Sequence, residues 1–219
     1  MPAPSLKIGL IGAGRIGQLH ARHLTSRVAS ADLIMVADMS VDAARQCANH
    51  FAIPSYVQDY HALLDHPSIQ AVLICSSTDT HAHIIEEAAQ AGKHIFCEKP
   101  IALNLPAIDQ ALHAVAQANV KLQVGFNRRF DANFLRVRQA IENGEIGQPH
   151  QFHIVSRDPA PPSIEYIRVS GGLFLDMTIH DFDMARYLAG SEVTEVFAAG
   201  AVLVSPQIGE AGDVDTAVV

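Results

Sequence analysis

The feature that most constrains this chain is an ordered series of patterns near its start. The run Leu6-Lys7-Ile8-Gly9-Leu10-Ile11 has the composition of a short buried strand, and it leads directly into Gly12-Ala13-Gly14-Arg15-Ile16-Gly17. A helical pattern follows, and a second apolar run over residues 33–37 ends on Asp38. Strand, glycine turn, helix, strand and acid in this order predict the first half of a doubly wound α/β sheet that binds a dinucleotide.

The residue types of the turn each have a physical reason. Gly12 permits a tight turn, Gly14 lets a pyrophosphate approach the backbone, and Gly17 allows close packing of the helix. Arg15 and Ile16 begin the helix, whose first turn offers free N–H groups and a positive dipole end to a phosphate. We therefore expect Gly12, Gly14, Arg15 and Ile16 to bind the cofactor.

The acid at position 38 narrows the choice of cofactor. Asp38 lies 21 residues after Gly17, close to the spacing of about 20 that dinucleotide sites show. Its carboxylate is suited to hydrogen bonds with ribose hydroxyls and would repel a 2′-phosphate, and the next residues, Met39 and Ser40, supply no cation. The sequence therefore predicts NAD rather than NADP.

Composition excludes several classes of protein. The 219 residues carry a formal net charge of −8 without a basic run, which argues against a nucleic-acid partner. No apolar stretch approaches the roughly 18 residues of a membrane span, and no leader pattern precedes the first strand. The three cysteines form no CxxC pair and the twelve histidines show no zinc spacing. We expect buried thiols, a cytoplasmic location, no membrane contact and no metal.

Alternating strand and helix patterns continue to about residue 126. They predict an N-terminal Rossmann domain with a doubly wound parallel sheet over residues 1–126. Residues 127–219 should form a partial α+β substrate domain with a mostly antiparallel sheet. The elements expected there are helices over 130–143 and 175–188 and strands over 151–156, 195–204 and from 216 onward.

Polar side chains collect at the carboxyl ends of the predicted strands, where such sheets bind ligands. Those expected to contact the cofactor are Ser76, Thr78, His81 and Glu98. Lys99 follows them and precedes Pro100, which disfavours helical geometry at the lysine. Its ammonium can stabilise a substrate oxygen, or it is an ordinary loop lysine paired with Glu98; the spacing leaves both open.

A second group of candidate residues follows a pair of glycines, Gly171 and Gly172, that permit close approach of the backbone to a ligand. Asp176 and His180 stand four positions apart and share one face of the predicted helix. A histidine steadied by a carboxylate is suited to general acid and base catalysis. The alternative is an ion pair on the helix surface.

Four other charged residues of the second part have two interpretations each. Asp181 and Asp183 point in different directions and are either solvated or structural. Arg128 and Arg129 either bind the hydroxyls of a polyol or pair with acids at the surface.

Taken together, these motifs resemble the Gfo/Idh/MocA oxidoreductases. The motifs that carry the resemblance are residues 12–17, Thr78-x-x-His81, Ala91-Gly92-Lys93-His94, Glu98-Lys99-Pro100 and Gly125-Phe126-Asn127-Arg128-Arg129-Phe130. Residues 156–162, 171–176 and 179–183 are most similar to the branch of that family that oxidises myo-inositol.

The resemblance implies a reaction and assigns roles to the candidate residues. Lys99, Asp176 and His180 would be catalytic and would contact the substrate: His180 takes the hydroxyl proton, Asp176 orients it, and Lys99 stabilises the developing alkoxide. Arg129 and Asp158 would lie near substrate hydroxyls. The implied reaction is the NAD-dependent oxidation of a cyclic polyol, myo-inositol to its 2-keto form, by a homo-oligomer.

Three alternatives stay open. The chain could act on another sugar or polyol, serve as a dinucleotide-sensing regulator without catalysis, or be an inactive fragment that binds NAD. Members of the family are longer, and we therefore expect this chain to be truncated at its C-terminus, within the second sheet.

Overall fold

A parallel β-sheet forms the centre of the first of two units, which divide between Gly125 and Phe126. The structure is a computed structural model that describes residues 5–219. Within these residues the strands of this sheet are β1 Leu6–Ile11, β2 Ala31–Ala37, β3 Ser55–Val57, β4 Ala71–Ile74, β5 His94–Cys97 and β6 Leu122–Val124. Their spatial order is β3-β2-β1-β4-β5-β6, and the pairings are parallel. The predicted Rossmann α/β fold is confirmed.

Helices cover both faces of this sheet, because the strands are apolar on both sides. They are α1 Arg15–Arg27, α2 Val41–Phe51, α3 His61–Leu64, α4 His81–Gln90 and α5 Leu105–Ala118. On one face, Ala21 of α1 and Cys47 of α2 belong to a buried apolar cluster; on the other, Ile85 of α4 and Ala111 of α5 belong to a second one. The short β3 and α3 were not predicted, since three or four residues carry too little periodicity.

The strand order reverses between β1 and β4, which are neighbours in the sheet although α1, β2, α2, β3 and α3 separate them in the chain. A crevice opens at such a reversal, outside the carboxyl ends of the strands. Gly12, Ser76 and Glu98 follow the ends of β1, β4 and β5. The fold therefore brings the predicted cofactor residues of the first unit to one edge of the sheet.

The second unit is mainly helical. Its helices within the described residues are α6 Ala132–Glu142, α7 Ile164–Ser170, α8 Ile179–Ala189 and α9 Pro206–Glu210. Two short strands, β7 Ala199–Ala201 and β8 Thr216–Val218, form an antiparallel pair. No helix between residues 5 and 219 combines the length and apolar character needed to cross a bilayer.

Three elements of the second unit differ from the sequence prediction. Residues 151–156 form no strand, since among the described residues no neighbouring strand satisfies their backbone groups. The strand predicted over 195–204 is reduced to β7. The helix predicted from residue 175 is a π-helical turn, Leu173–Met177, in which the Thr178 N–H donates to the Leu173 carbonyl, and α8 follows it.

Candidate cofactor and catalytic residues

In the glycine turn after β1, a side chain would clash with the backbone at two positions and would meet no other atom at a third. Gly12 has a φ of +98°, and a Cβ there would lie 2.5 Å from the Cys75 carbonyl oxygen. A Cβ on Gly17 would lie 1.9 Å from the Gly12 carbonyl oxygen. A Cβ on Gly14 would meet nothing within 4 Å. The backbone at Gly14 is therefore accessible to a ligand, as a pyrophosphate site requires.

The carboxylate of Asp38 is anchored beside this turn. One of its oxygens accepts the Ala13 N–H at 2.8 Å, and the other accepts the Ser40 N–H at 2.8 Å. A carboxylate has about four acceptor positions, so the half-buried group keeps capacity for ribose hydroxyls. At the start of α1, Arg15 is exposed and Ile16 is half-buried. This arrangement fits a dinucleotide.

Hydrogen bonds within the turn after β4 hold its shape. The Thr80 hydroxyl donates to the Ser77 carbonyl at 2.7 Å, and the Ser76 and Thr80 hydroxyls lie 2.7 Å apart. Thr78 begins a single 3₁₀ turn that leads into α4. Ser76 and Thr78, both predicted to bind the cofactor, therefore sit on a braced segment at the carboxyl end of β4.

His81 differs from the sequence prediction in what surrounds it. Its side chain is buried, with 2% of the residue exposed. The ring nitrogen Nδ1 lies 2.8 Å from the Pro100 carbonyl oxygen, and Nε2 lies 3.1 Å from the Ser76 carbonyl oxygen. Both ring nitrogens thus contact the backbone of this chain, which leaves neither directed at a cofactor.

The Glu98-Lys99-Pro100 turn follows β5. The Glu98 N–H donates to the Ile74 carbonyl at 3.0 Å, and the Lys99–Pro100 peptide is cis. Lys99 is half-buried. The Glu98 carboxylate lies 2.7 Å from Nε2 of His20, a residue of α1 that the sequence analysis did not single out. The spacing of His20 four residues after Ile16, on one face of α1, was the signal that could have indicated it.

Two thiols lie beside this turn. Burial, together with the neighbouring Glu98 carboxylate, raises the pKa of Cys75 well above its ordinary range. Burial likewise raises the pKa of Cys97. Both are free cysteines that stay protonated and serve as apolar packing, which is the role that the sequence predicted.

Asp176 lies in the π-helical turn of the second unit. The Tyr166 hydroxyl donates to its carboxylate at 2.9 Å. The preceding Gly172 has a φ of +69°, and a Cβ there would lie 2.6 Å from the carboxylate of Asp213, which accepts the Leu173 N–H at 2.9 Å. The glycine is therefore needed for a contact within the unit, whereas the sequence had indicated approach of a ligand.

His180 is the second residue of α8, and its half-buried ring packs edge-to-face on Phe126 with 6.3 Å between ring centres. Asp176 and His180 do not belong to one α-helix, because the π-helical turn ends before α8 begins. The single helix predicted to carry both residues is therefore wrong.

The neighbouring acids and arginines form ion pairs with one another. Arg129 donates to both oxygens of the buried Asp183 carboxylate, at 2.8 and 2.6 Å, and this pairing raises the pKa of the guanidinium. Arg128 donates to Asp181, which also accepts the Ser156 hydroxyl at 2.6 Å. Both arginines therefore pair with acids of the same unit, which is one of their two interpretations, and a substrate contact by Arg129 stays a proposal.

The remaining predicted residue, Asp158, is exposed in an irregular segment between α6 and α7. Within residues 5–219, no group of three or more histidine, cysteine, aspartate or glutamate side chains is arranged to hold a metal ion.

Comparisons with known proteins agree with this architecture. Residues 6–126 match a family model described as "Oxidoreductase family, NAD-binding Rossmann fold", and residues 134–219 match the Gfo/Idh/MocA C-terminal domain. The chain is 53% identical over 214 residues to a myo-inositol 2-dehydrogenase of Thermotoga maritima, covering 98% of this chain and 64% of the relative. It thus spans less than two thirds of that relative's length.

Two solved structures extend the likeness to three dimensions. The crystal structure of a putative myo-inositol dehydrogenase from Sinorhizobium meliloti matches with a TM-score of 0.94 at 47% identity, over 97% of this chain and 64% of that one. A scyllo-inositol dehydrogenase from Lactobacillus casei, solved with bound NAD(H) and scyllo-inositol, matches with a TM-score of 0.85 at 33% identity, over 97% and 64%. The chain belongs to the Gfo/Idh/MocA oxidoreductase family.

Proposed function

We propose that this chain catalyses the NAD-dependent oxidation of a ring hydroxyl of a cyclic polyol. The expected substrate is myo-inositol, and the expected product is its 2-keto form. The observation that carries the cofactor assignment is the glycine turn, which has no room for a side chain at Gly12 and Gly17 but leaves the backbone accessible at Gly14. The Asp38 carboxylate lies beside this turn and accepts the Ala13 N–H. The names of the relatives from Thermotoga maritima and Sinorhizobium meliloti support the substrate class.

The residues of the first unit fit NAD. The N–H groups at the start of α1 would receive the pyrophosphate at Gly14, and the remaining acceptor positions of Asp38 would receive the ribose hydroxyls. When bound, NAD supplies the hydride acceptor, and the protein supplies binding, orientation and charge. We propose residues 1–126 as the domain that performs this binding and residues 127–219 as part of the substrate domain.

Three side chains are proposed to carry the chemistry. His180 takes the proton of the substrate hydroxyl as general base, and the carboxylate of Asp176, the other residue of the sequence pair, favours the charged imidazole that results. The ammonium of Lys99 stabilises the oxygen on which negative charge develops. Asp158 and Arg129 stay proposed substrate contacts, although Arg129 already donates two hydrogen bonds to Asp183.

Two further properties stay predictions. A homo-oligomer and a cytoplasmic location were expected from the family resemblance and from the composition. Size-exclusion chromatography with light scattering measures the first, and imaging of the tagged chain in its own cells measures the second.

The experiment that tests the function is a steady-state assay of the purified chain with NAD and a panel of inositol isomers and hexoses, followed by NADH absorbance. Lys99→Met should abolish turnover and leave the NAD dissociation constant unchanged. Lys121→Met, at an exposed lysine before β6, is the matched control and should keep wild-type turnover.

The outcomes separate the alternatives. A folded chain that forms no NADH with any of these substrates contradicts the proposed oxidation, and if such a chain still binds NAD, a sensor or an inactive fragment is the better description. Unchanged turnover in Lys99→Met would remove Lys99 from the chemistry.

A further inference from the structure

The buried imidazole of His81 connects two turns at the carboxyl edge of the sheet. Its Nδ1 lies 2.8 Å from the Pro100 carbonyl oxygen, in the turn after β5. Its Nε2 lies 3.1 Å from the Ser76 carbonyl oxygen, in the turn after β4. Since His81 is the first residue of α4, one side chain joins the start of a helix to the ends of two neighbouring strands.

The chemistry of these contacts makes the ring a donor. A carbonyl oxygen only accepts, so each contact needs an N–H on the nitrogen that faces it. An imidazole that carries both protons satisfies both carbonyls, and a neutral ring satisfies one. The contact to Pro100 is the shorter of the two and lies near the preferred N–H···O distance of about 2.9 Å.

The contact between His81 and Pro100 lies directly beside Lys99 in the chain. On its N-terminal side, the Glu98 N–H donates to the Ile74 carbonyl at the end of β4. On its C-terminal side, the Pro100 carbonyl accepts from His81. Lys99 is therefore the middle residue of a segment that is held at both ends by the β4 to α4 region. Loss of the His81 contact would leave only one of these two attachments.

We propose that His81 is a positioning residue that holds the Glu98-Lys99-Pro100 turn, and with it Lys99, through the Pro100 carbonyl. The catalytic consequence rests on the role proposed above for Lys99. The ring itself does not contact substrate or cofactor; it acts through the turn.

Three substitutions separate the two contacts of the ring. In His81→Asn the side-chain amide N–H can occupy the place of Nδ1 and keep a donor for Pro100, whereas in His81→Gln the amide reaches the place of Nε2 and keeps a donor for Ser76. His81→Leu removes both donors. His83→Gln, at an exposed histidine of the same helix, is the matched control.

The first measurement is hydrogen exchange of the full chain, followed on peptides that span residues 97–105. The Glu98 amide keeps its own bond to Ile74, but the turn opens more easily once the hydrogen bond between His81 and Pro100 is lost. The Glu98 amide should therefore exchange about tenfold faster, the effect of losing one buried hydrogen bond. We expect this acceleration in His81→Leu and His81→Gln, while His81→Asn and His83→Gln exchange like the wild type. The second measurement is turnover: kcat should fall in the same two variants by a larger factor than KM for NAD rises, and His81→Asn should recover most of kcat.

Each result counts for or against the proposal. Wild-type exchange over residues 97–105 in His81→Leu overturns it, and so do equal exchange rates in His81→Asn and His81→Gln. If His81→Leu does not fold, the comparison of the asparagine and glutamine variants decides. If exchange responds as expected but the wild-type chain oxidises no polyol, the holding of the turn is supported and the proposed function is the part that fails.

Discussion

Replacing Gly17 by alanine should destabilise the first unit through a single steric contact. A Cβ at this position would lie 1.9 Å from the Gly12 carbonyl oxygen and 2.9 Å from its carbonyl carbon. Both are backbone atoms, so relief requires the turn between β1 and α1 to open. Overpacking costs about 1–3 kcal/mol, and a backbone contact this close belongs at the upper end of that range. A loss of about 3 kcal/mol would lower the melting temperature by about 10 °C.

Gly14→Ala is the matched control for this substitution, and it should have the opposite profile. Gly14 has a φ of −68°, which suits alanine, and its Cβ would meet nothing within 4 Å. We expect the free energy of unfolding to change by less than about 0.5 kcal/mol. The added methyl group occupies the open side of the turn, where the pyrophosphate would lie, so NAD affinity should fall at least about tenfold, ~1.4 kcal/mol.

Two measurements on the same preparations check this pair of predictions. Circular dichroism gives the melting temperatures, and an NADH fluorescence titration gives the affinities without interference from tryptophan, which the chain lacks. A Gly17→Ala variant that melts at the wild-type temperature would refute the steric argument. A Gly14→Ala variant that binds NADH as tightly as the wild type would refute the location of the pyrophosphate.

Two further predictions follow from groups whose pKa is shifted. Burial raises the pKa of Cys75 and Cys97, so the native chain should react slowly with a thiol reagent at mildly alkaline pH and completely after denaturation; rapid labelling of both native thiols would contradict this. Backbone N–H groups, of Leu203 first and then of Ser205 and its neighbour, lower the pKa of Asp215 from 3.8 to about 2. The stability that the ionised Asp215 contributes is present above pH 3.8 and is lost as the pH falls toward 2. In acid unfolding, the Asp215→Asn variant should therefore lose less stability than the wild type between pH 3.8 and 2. Equal losses in the two proteins would contradict this prediction.

The first unit could be predicted from sequence because its signals are local. The glycine turn, Asp38 and the apolar strands each lie within one short stretch, and their order alone specifies the parallel sheet. The second unit could not be predicted as well, since its geometry depends on partners far along the chain. The Asp213 carboxylate, which accepts the Leu173 N–H from 40 residues along the chain, leaves no room for a Cβ on Gly172. Arg129 pairs with Asp183, which lies 54 residues away in the chain.

His81 shows a different limit of sequence reasoning. Its position at the start of α4 places it beside the carboxyl ends of the strands, the edge where sheets of this kind bind ligands. Its partners are two backbone carbonyls, and a carbonyl is present at every position, so no pattern of residue types could have distinguished a ring that holds a turn from a ring that contacts a cofactor.

Hydrogen-bonding capacity separates the residues at this edge into those that can receive a ligand and those that shape the site. Both nitrogens of His81 are engaged with backbone carbonyls. The Asp38 carboxylate accepts the N–H groups of Ala13 and Ser40, and about two further acceptor positions are left for the hydroxyls of a ribose. A substitution of Asp38 would therefore disturb the turn and the ligand contact together, and weaker NAD binding in such a variant would have two explanations. Gly14 has no side chain to lose, and a methyl group added there would meet nothing within 4 Å in the protein. Gly14→Ala is therefore the substitution that isolates cofactor binding.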